Sequence, residues 1–172
     1  MRNVLFIFAG LDDGDVAWLA SVGATRTLTP GEVLVEQGRP IDDLFVVLQG
    51  RVEVEVAGVG VVARRGAGEI IGEMSFVDSA PPSATVRADE PTVVFAVAKA
   101  AVAARLVGDV GFAARFYRAL ALWLADRLRE ATRRDETGEG DDAIDEMVLD
   151  GVAIAGLRFR GFLDTLAAAG RG

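Results

Sequence analysis

Valine alternates with charge in "RVEVEVAG": Val52, Val54 and Val56 take one parity, Glu53 and Glu55 the other. A period of two predicts a strand with one buried face and one wet face. "DLFVVLQG", "GVGVVARR", "ATVRA" and "TVVFAV" read as further strands, separated by Gly38, Gly50, Gly58, Gly60, Gly66 and Gly68. In "LTPGEV", Pro30 and Gly31 fit the two central positions of a type II turn. Short strands with closely spaced turns predict an all-β sandwich or barrel over residues 26–97.

The pattern changes on either side of this region. Asp12, Asp13 and Asp15 precede "VAWLASV", as suits the positive N-terminal end of a helix, expected over 11–22. After Val97 the chain turns alanine-, leucine- and arginine-rich, predicting helices over 98–134 with Asp109 as a cap. Phe112, Phe116, Leu120, Leu124 and Leu128 recur every four residues with Trp123 beside them, which is one face of a long helix. Residues 1–134 thus read as one domain. The acidic, glycine-broken stretch 135–146 reads as a linker, with Asp141–Glu146 solvated rather than holding a metal. Residues 147–172 read as a small amphipathic tail carrying Leu157, Phe159, Phe162, Leu163 and Leu166.

Composition narrows the chemistry. About half of the 172 residues are hydrophobic, enough for a real core. The net charge of -8 gives no support for nucleic-acid binding. Without cysteine or histidine there are no disulfides, thiol nucleophiles, imidazole bases or His/Cys metal sites. No nucleophile, base or metal set is visible, so no enzyme and no cofactor are expected. The apolar start "MRNVLFIFAGL" is too short to span a membrane and has a poor export pattern, so a cytoplasmic location is expected.

One stretch stands apart: "GEMSFVDSAPPSATV", Gly72 to Val86. Gly72 lets backbone approach a ligand. The amides near Met74 and Ser75, at a helix start, form an anion site. Glu73 would repel a phosphate but can accept a hydrogen bond from a neutral hydroxyl, and Ser83 and Thr85 can donate hydroxyls.

These pieces, with "LTPGEVLVEQGRPIDDLFVVLQGRVEV", "GAGEIIGEMSFVD" and "PPSATVRA", resemble the cyclic nucleotide-binding domain family over roughly Leu11 to Arg134. That family includes catabolite activator proteins and protein kinase A regulatory subunits. The resemblance implies an eight-strand, jelly-roll-like β-roll with flanking helices, a long C-terminal helix and, here, a helical tail. It implies a phosphate-binding cassette of Gly72, Glu73, Met74, Ser75, Pro82, Ser83, Ala84 and Thr85, with Glu73 on the ribose 2'-hydroxyl. Members that bind cyclic AMP tightly carry an arginine where this chain has Pro82. Arg64, Arg65 and Arg87 are the candidates for a substitute charge.

The resemblance implies a non-catalytic sensor that binds a cyclic nucleotide and relays it through the long helix to a dimer or a protein partner of the tail. The expected homodimer seam is Phe112, Phe116, Leu120, Trp123, Leu124 and Leu128. Trp123, Tyr117 and Arg127 are candidates to lid a purine, although core or interface is the commoner role. Catabolite-activator relatives carry a DNA reader after the long helix. Only 38 residues follow Arg134 here, and they are acidic, so a transcription factor of that type and a nucleic-acid partner are not expected, nor, from the short apolar start, is a membrane partner. Two alternatives stay open: a ligand-free interaction module, which Pro82 favours, and a sensor of another ligand such as a cyclic dinucleotide.

Overall fold

Val52 has no exposed surface, while the next residue, Glu53, holds Arg64 at 2.6 Å on the solvent side. That alternation, repeated from strand to strand, builds the fold. The computed structural model describes residues 8, 10–137 and 156–166. In chain order its elements are α1 (Asp13–Val22), β1 (Ala24–Leu28), β2 (Val33–Val35), β3 (Asp43–Gln49), β4 (Arg51–Val56), β5 (Gly60–Gly66) and β6 (Ile70–Ile71). They continue with α2 (Glu73–Val77), β7 (Thr85–Ala88), β8 (Thr92–Ala98), α3 (Lys99–Gly108), α4 (Val110–Thr137) and a last helix, α5, over 156–166. The first residues of the expected linker, 135–137, instead continue α4, and its remainder, 138–146, lies outside the described residues, as do tail residues 147–155 and 167–172.

Leu19–Ala104 forms one compact unit. Its strands make two four-stranded antiparallel sheets, ordered β1-β8-β3-β6 and β2-β7-β4-β5. Leu28, Phe45 and Val94 from the first sheet meet Val35, Val52 and Val86 from the second in one buried cluster. Each such side chain contributes about 1.5–3 kcal/mol on burial, so the cluster accounts for the closed roll. The pattern of valines and glycines implied an all-β sandwich or barrel, and the eight-strand roll is the one that the family resemblance implied. The turn before β2 forms as expected: Gly31 takes φ 85°, and the Glu32 amide donates to the Thr29 carbonyl at 3.0 Å.

The segments on either side of Leu19–Ala104 form the second unit. A reciprocal cap starts α1: the Asp15 amide donates to Asp12 Oδ1 (2.9 Å), and the Asp12 amide donates to Asp15 Oδ2 (3.1 Å). Asp109 caps α4, accepting from the Phe112 amide at 2.8 Å. Asp15 is buried and also accepts from Arg105 Nη2 (3.0 Å), Arg115 Nε (2.7 Å) and Arg115 Nη2 (3.0 Å). The Arg105 guanidinium lies 4.4 Å from the ring centres of both Trp18 and Phe112. Phe162 of α5 is buried, its ring centre 5.2 Å from that of Phe8. Arg158 Nε reaches Asp13 Oδ1 at 2.8 Å.

Of the expected dimer seam, Phe112, Phe116, Leu120 and Trp123 are buried within the single chain. Leu124 is half-buried and Leu128 is 69% exposed. Arg127 stacks on Trp123 at 4.7 Å, while Tyr117 is exposed. Among the described residues, no helix is long and apolar enough to cross a membrane.

Candidate functional site

Strand β6 ends at Ile71, and the chain must turn at once into α2. Gly72 makes the turn with φ 92° and ψ 2°, a left-handed conformation in which it caps α2 without a side-chain hydrogen bond. Space is tight as well: a Cβ here would sit 2.8 Å from Ile41 Cδ1, which would have to shift, and 3.2 Å from the Asp43 carbonyl. The first α2 bond runs from the Phe76 amide to the Gly72 carbonyl (3.1 Å). The amides of residues 73–75 thus precede the helical ladder.

Glu73 follows, and it is buried, with 6% of its surface exposed. A buried carboxylate is costly unless something compensates its charge. Lys99, at the start of α3, lies within electrostatic reach of Glu73 and also of Asp42, Asp43 and Asp78. Burial holds the Lys99 amine below its ordinary range, and those four carboxylates only partly offset the effect. Lys99 is the one lysine of the chain, and no local sequence signal pointed to it.

The remaining expected residues sit on α2 and on the loop leading to β7. Met74 is exposed and Ser75 half-buried. The loop 78–84 links α2 to β7 and holds Ser79 at φ 60°, in the left-handed region where a glycine or asparagine is commoner. Pro82 and Ala84 are half-buried and Ser83 is exposed. The Pro82 carbonyl accepts from the Gly38 amide at 2.9 Å, and the Thr85 hydroxyl accepts from the Gln37 amide at 3.1 Å. These two bonds tie the Pro-Pro-Ser corner to the turn between β2 and β3. They leave the Thr85 O–H and the Ser83 hydroxyl able to donate.

The three candidate substitute arginines separate by strand register. Arg64 stands opposite Glu53 and is bound to it through Nη2 (2.6 Å) and Nε (3.0 Å). Arg87 is also opposite Glu53, on β4's other side, and donates from Nη1 to the Gly31 carbonyl at 2.7 Å. Both belong to the outer face. Arg65 stands opposite Val52. Directly opposed residues of antiparallel strands share a face, and Val52 belongs to the core cluster. Arg65 therefore points into the roll and is half-buried there. Sequence alone could not separate Arg64 from Arg65, because the valine alternation of β5 is irregular and the register slips between Val54 and Glu55. Among the described residues, no cluster of carboxylates suited to a metal is present.

Comparison with known proteins agrees with this architecture. The sequence model described as "Cyclic nucleotide-binding domain" matches residues 25–107. A solved cyclic nucleotide-binding domain from Methylobacillus flagellatus KT is 25% identical, with a TM-score of 0.69 over 83% of this chain and 86% of that one. The N-terminal domain of a transcriptional regulator from Streptomyces coelicolor A3(2) is 31% identical, with a TM-score of 0.60 over 83% of this chain and all (100%) of that one. The Pycsar effector protein XpPycTIR of Xanthomonas perforans is 36% identical over 115 residues, 65% of this chain, and the match spans 36% of that protein's length. Through the two sheets and the Gly72–Glu73 turn of residues 25–107, the chain belongs to the cyclic nucleotide-binding domain family.

Proposed function

We propose that the roll binds a cyclic mononucleotide and that the chain acts as a non-catalytic regulatory module. One observation carries the reading: Glu73 is a buried carboxylate placed directly after a left-handed glycine. A buried carboxylate only accepts hydrogen bonds, and a ribose 2'-hydroxyl is a neutral donor that it can take. The phosphate lies on the amides that open α2, near Met74 and Ser75, and against the Ser83 hydroxyl, whereas Thr85 stands opposite Glu55 on the outer parity of β7.

Binding is weaker than in relatives with an arginine at the position of Pro82. A charge-assisted hydrogen bond is worth about 1.5–3 kcal/mol, or roughly 10- to 150-fold in affinity. Ligand in the roll biases the helices that follow β8, by favouring one of two arrangements. Two copies pair through the face of α4 that a single chain leaves open. Tyr117, Ala121, Leu124 and Leu128 carry the 4-3-4 spacing of a helical seam, and Tyr117 (51%) and Leu128 (69%) are well exposed. The module works in the cytoplasm.

A second reading rests on Pro82. Its carbonyl is held by Gly38 and its ring offers no charge. This favours an interaction module that keeps the shape of the pocket without the ligand. Calorimetric titration with cyclic AMP, GMP, CMP and UMP, then with cyclic dinucleotides, separates the readings. Binding of a mononucleotide, lost in Glu73→Ala, supports the sensor. A flat mononucleotide panel with a dinucleotide signal moves the site to the larger ligand, and no binding at millimolar concentration leaves the interaction module.

A further inference from the structure

We infer that Gln37 is a positioning residue: its side chain stops β7 at Thr85, keeps Ser83 out of the sheet and so leaves the Ser83 amide for the phosphate. The inference rests on the reading that a cyclic mononucleotide occupies the roll. Gln37 belongs to the turn 36–39, which the Arg39 amide closes on the Glu36 carbonyl at 3.1 Å, with Gly38 at φ 77°. The turn follows β2, and the sheet runs β2-β7-β4-β5. It grips the corner at two points. The Gly38 amide donates to the Pro82 carbonyl at 2.9 Å, and the Gln37 amide donates to the Thr85 hydroxyl at 3.1 Å. The Gln37 side chain reaches further, and its Oε1 accepts from the Ala57 amide at 2.9 Å. Ala57 directly follows β4. The side chain therefore bridges from the β2 side to β4, across the end of the β7 strand that lies between them.

Strand register says what that bridge displaces. β4 and β7 pair from Val52↔Ala88 to Glu55↔Thr85 without a slip. One pair further back, the Asp89 amide donates to the Arg51 carbonyl at 3.0 Å, which marks residues 51 and 89 as a hydrogen-bonded pair. Such pairs recur at every second position of an antiparallel ladder. Residues 53 and 87, then 55 and 85, are of the same kind, and the next would be Ala57 with Ser83. In a continued ladder those two residues would exchange both backbone bonds. Instead the Ala57 amide goes to Gln37, and β7 begins at Thr85. A planar trans peptide sends its C=O and N–H in opposite directions. Gly38 holds the Pro82 carbonyl on the β2 side, so the Ser83 N–H faces the β4 side, where the ladder would have used it. Ser83 is exposed. Gln37 thus turns a ladder donor into an open one beside the Ser83 hydroxyl, in a corner where Pro82 brings no charge.

The test joins amide hydrogen exchange on the unliganded protein to calorimetric titration with cyclic AMP, GMP, CMP and UMP. The proteins are the full chain, Gln37→Leu and Glu73→Ala, with Gln37→Glu added for exchange only. Gln37→Leu removes the acceptor for Ala57, and Gln37→Glu keeps one. In Gln37→Leu the ladder gains the 57/83 pair, so exchange at the Ser83 amide slows by about tenfold or more. In Gln37→Glu it stays as in the full chain. A side chain that merely supported the fold would give the reverse, faster exchange at Ser83 once it is removed. Gln37→Leu also weakens every nucleotide that the full chain binds by about tenfold or more, as befits one hydrogen bond to a charged group. If Gln37→Leu does not fold, Gln37→Ala lacks the same acceptor and carries the same expectations. Unchanged or faster exchange at Ser83 in the variant without the acceptor overturns the inference, and so does a slowing that Gln37→Glu shares. Binding that Glu73→Ala abolishes, but that loss of the acceptor leaves within about threefold, overturns it while the site stands. No binding of any of the four nucleotides by the full chain overturns the underlying reading and this inference together.

Discussion

Arg115 Nε donates to Asp15 Oδ2 at 2.7 Å, across 100 residues of sequence. Arg105 donates to the other oxygen of the same carboxylate at 3.0 Å. The Asp15 side chain is 1% exposed, so its charge is compensated by protein and not by water. Removing the charge leaves two cations around a neutral amide, and breaking a buried pair costs about 3–5 kcal/mol. Asp15→Asn should lower the unfolding free energy by that order in urea. A loss under about 1 kcal/mol, the range of exposed pairs, would show that water already screens the cluster.

The same carboxylate sets an acid limit. Burial by itself raises the pKa of Asp15, but the Arg115 hydrogen bond, the Asp12 amide and the charges of Arg115 and Arg105 outweigh it, and the net direction is down. A lowered folded pKa means stability that is complete above the unfolded value of about 3.9 and is lost as pH falls through the folded value. The unmodified chain should lose stability steeply below about pH 4, and Asp15→Asn less steeply. Parallel pH curves for the two proteins would assign the acid limit to other carboxylates.

On α4, burial divides the stripe that looked uniform in sequence. Phe116 is buried and Leu128 exposed. Phe116→Glu should unfold the second unit, while Leu128→Glu should keep the fold and give monomers by light scattering. If the unmodified protein is already monomeric at micromolar concentration, α4 carries no seam.

Pro82→Arg supplies the charge that this chain lacks beside the phosphate. Cyclic mononucleotide affinity should rise by about 10- to 150-fold, the same 1.5–3 kcal/mol. The new side chain must also keep the bond between the Gly38 amide and the residue-82 carbonyl, which does not depend on proline. A folded Pro82→Arg protein with unchanged affinity would place the phosphate elsewhere.

Local chemistry made much of this fold readable. The alternation in "RVEVEV", the Pro30–Gly31 turn, the Asp12/Asp15 cap and the Asp109 cap each involve neighbours, and each appears where the sequence puts it. Gly72 and Glu73 were legible because a glycine-led helix start faces a Pro-Pro-Ser corner and the whole stretch resembles a phosphate-binding cassette. What stayed hidden depends on distance in sequence. The bonds of Asp15 to Arg105 and Arg115, and the electrostatic reach of Lys99 to Glu73, link residues that no periodicity connects. The inward turn of Arg65 depends on a register slip that only pairing reveals. The four-residue rhythm of α4 located a buried face but could not say that its own chain covers Phe112, Phe116, Leu120 and Trp123 while leaving Leu128 open.

The central claim is that a cyclic mononucleotide sits on the Gly72–Ser75 turn inside the roll. The most direct measurement is a nuclear magnetic resonance titration of the labelled chain with cyclic GMP, UMP, AMP and CMP, following each backbone amide. The account predicts saturable shifts concentrated at Gly72, Glu73, Met74 and Ser75 and at Ser83–Thr85, absent in Glu73→Ala. Saturable shifts that avoid those amides, or none with any of the four at millimolar concentration, would contradict it.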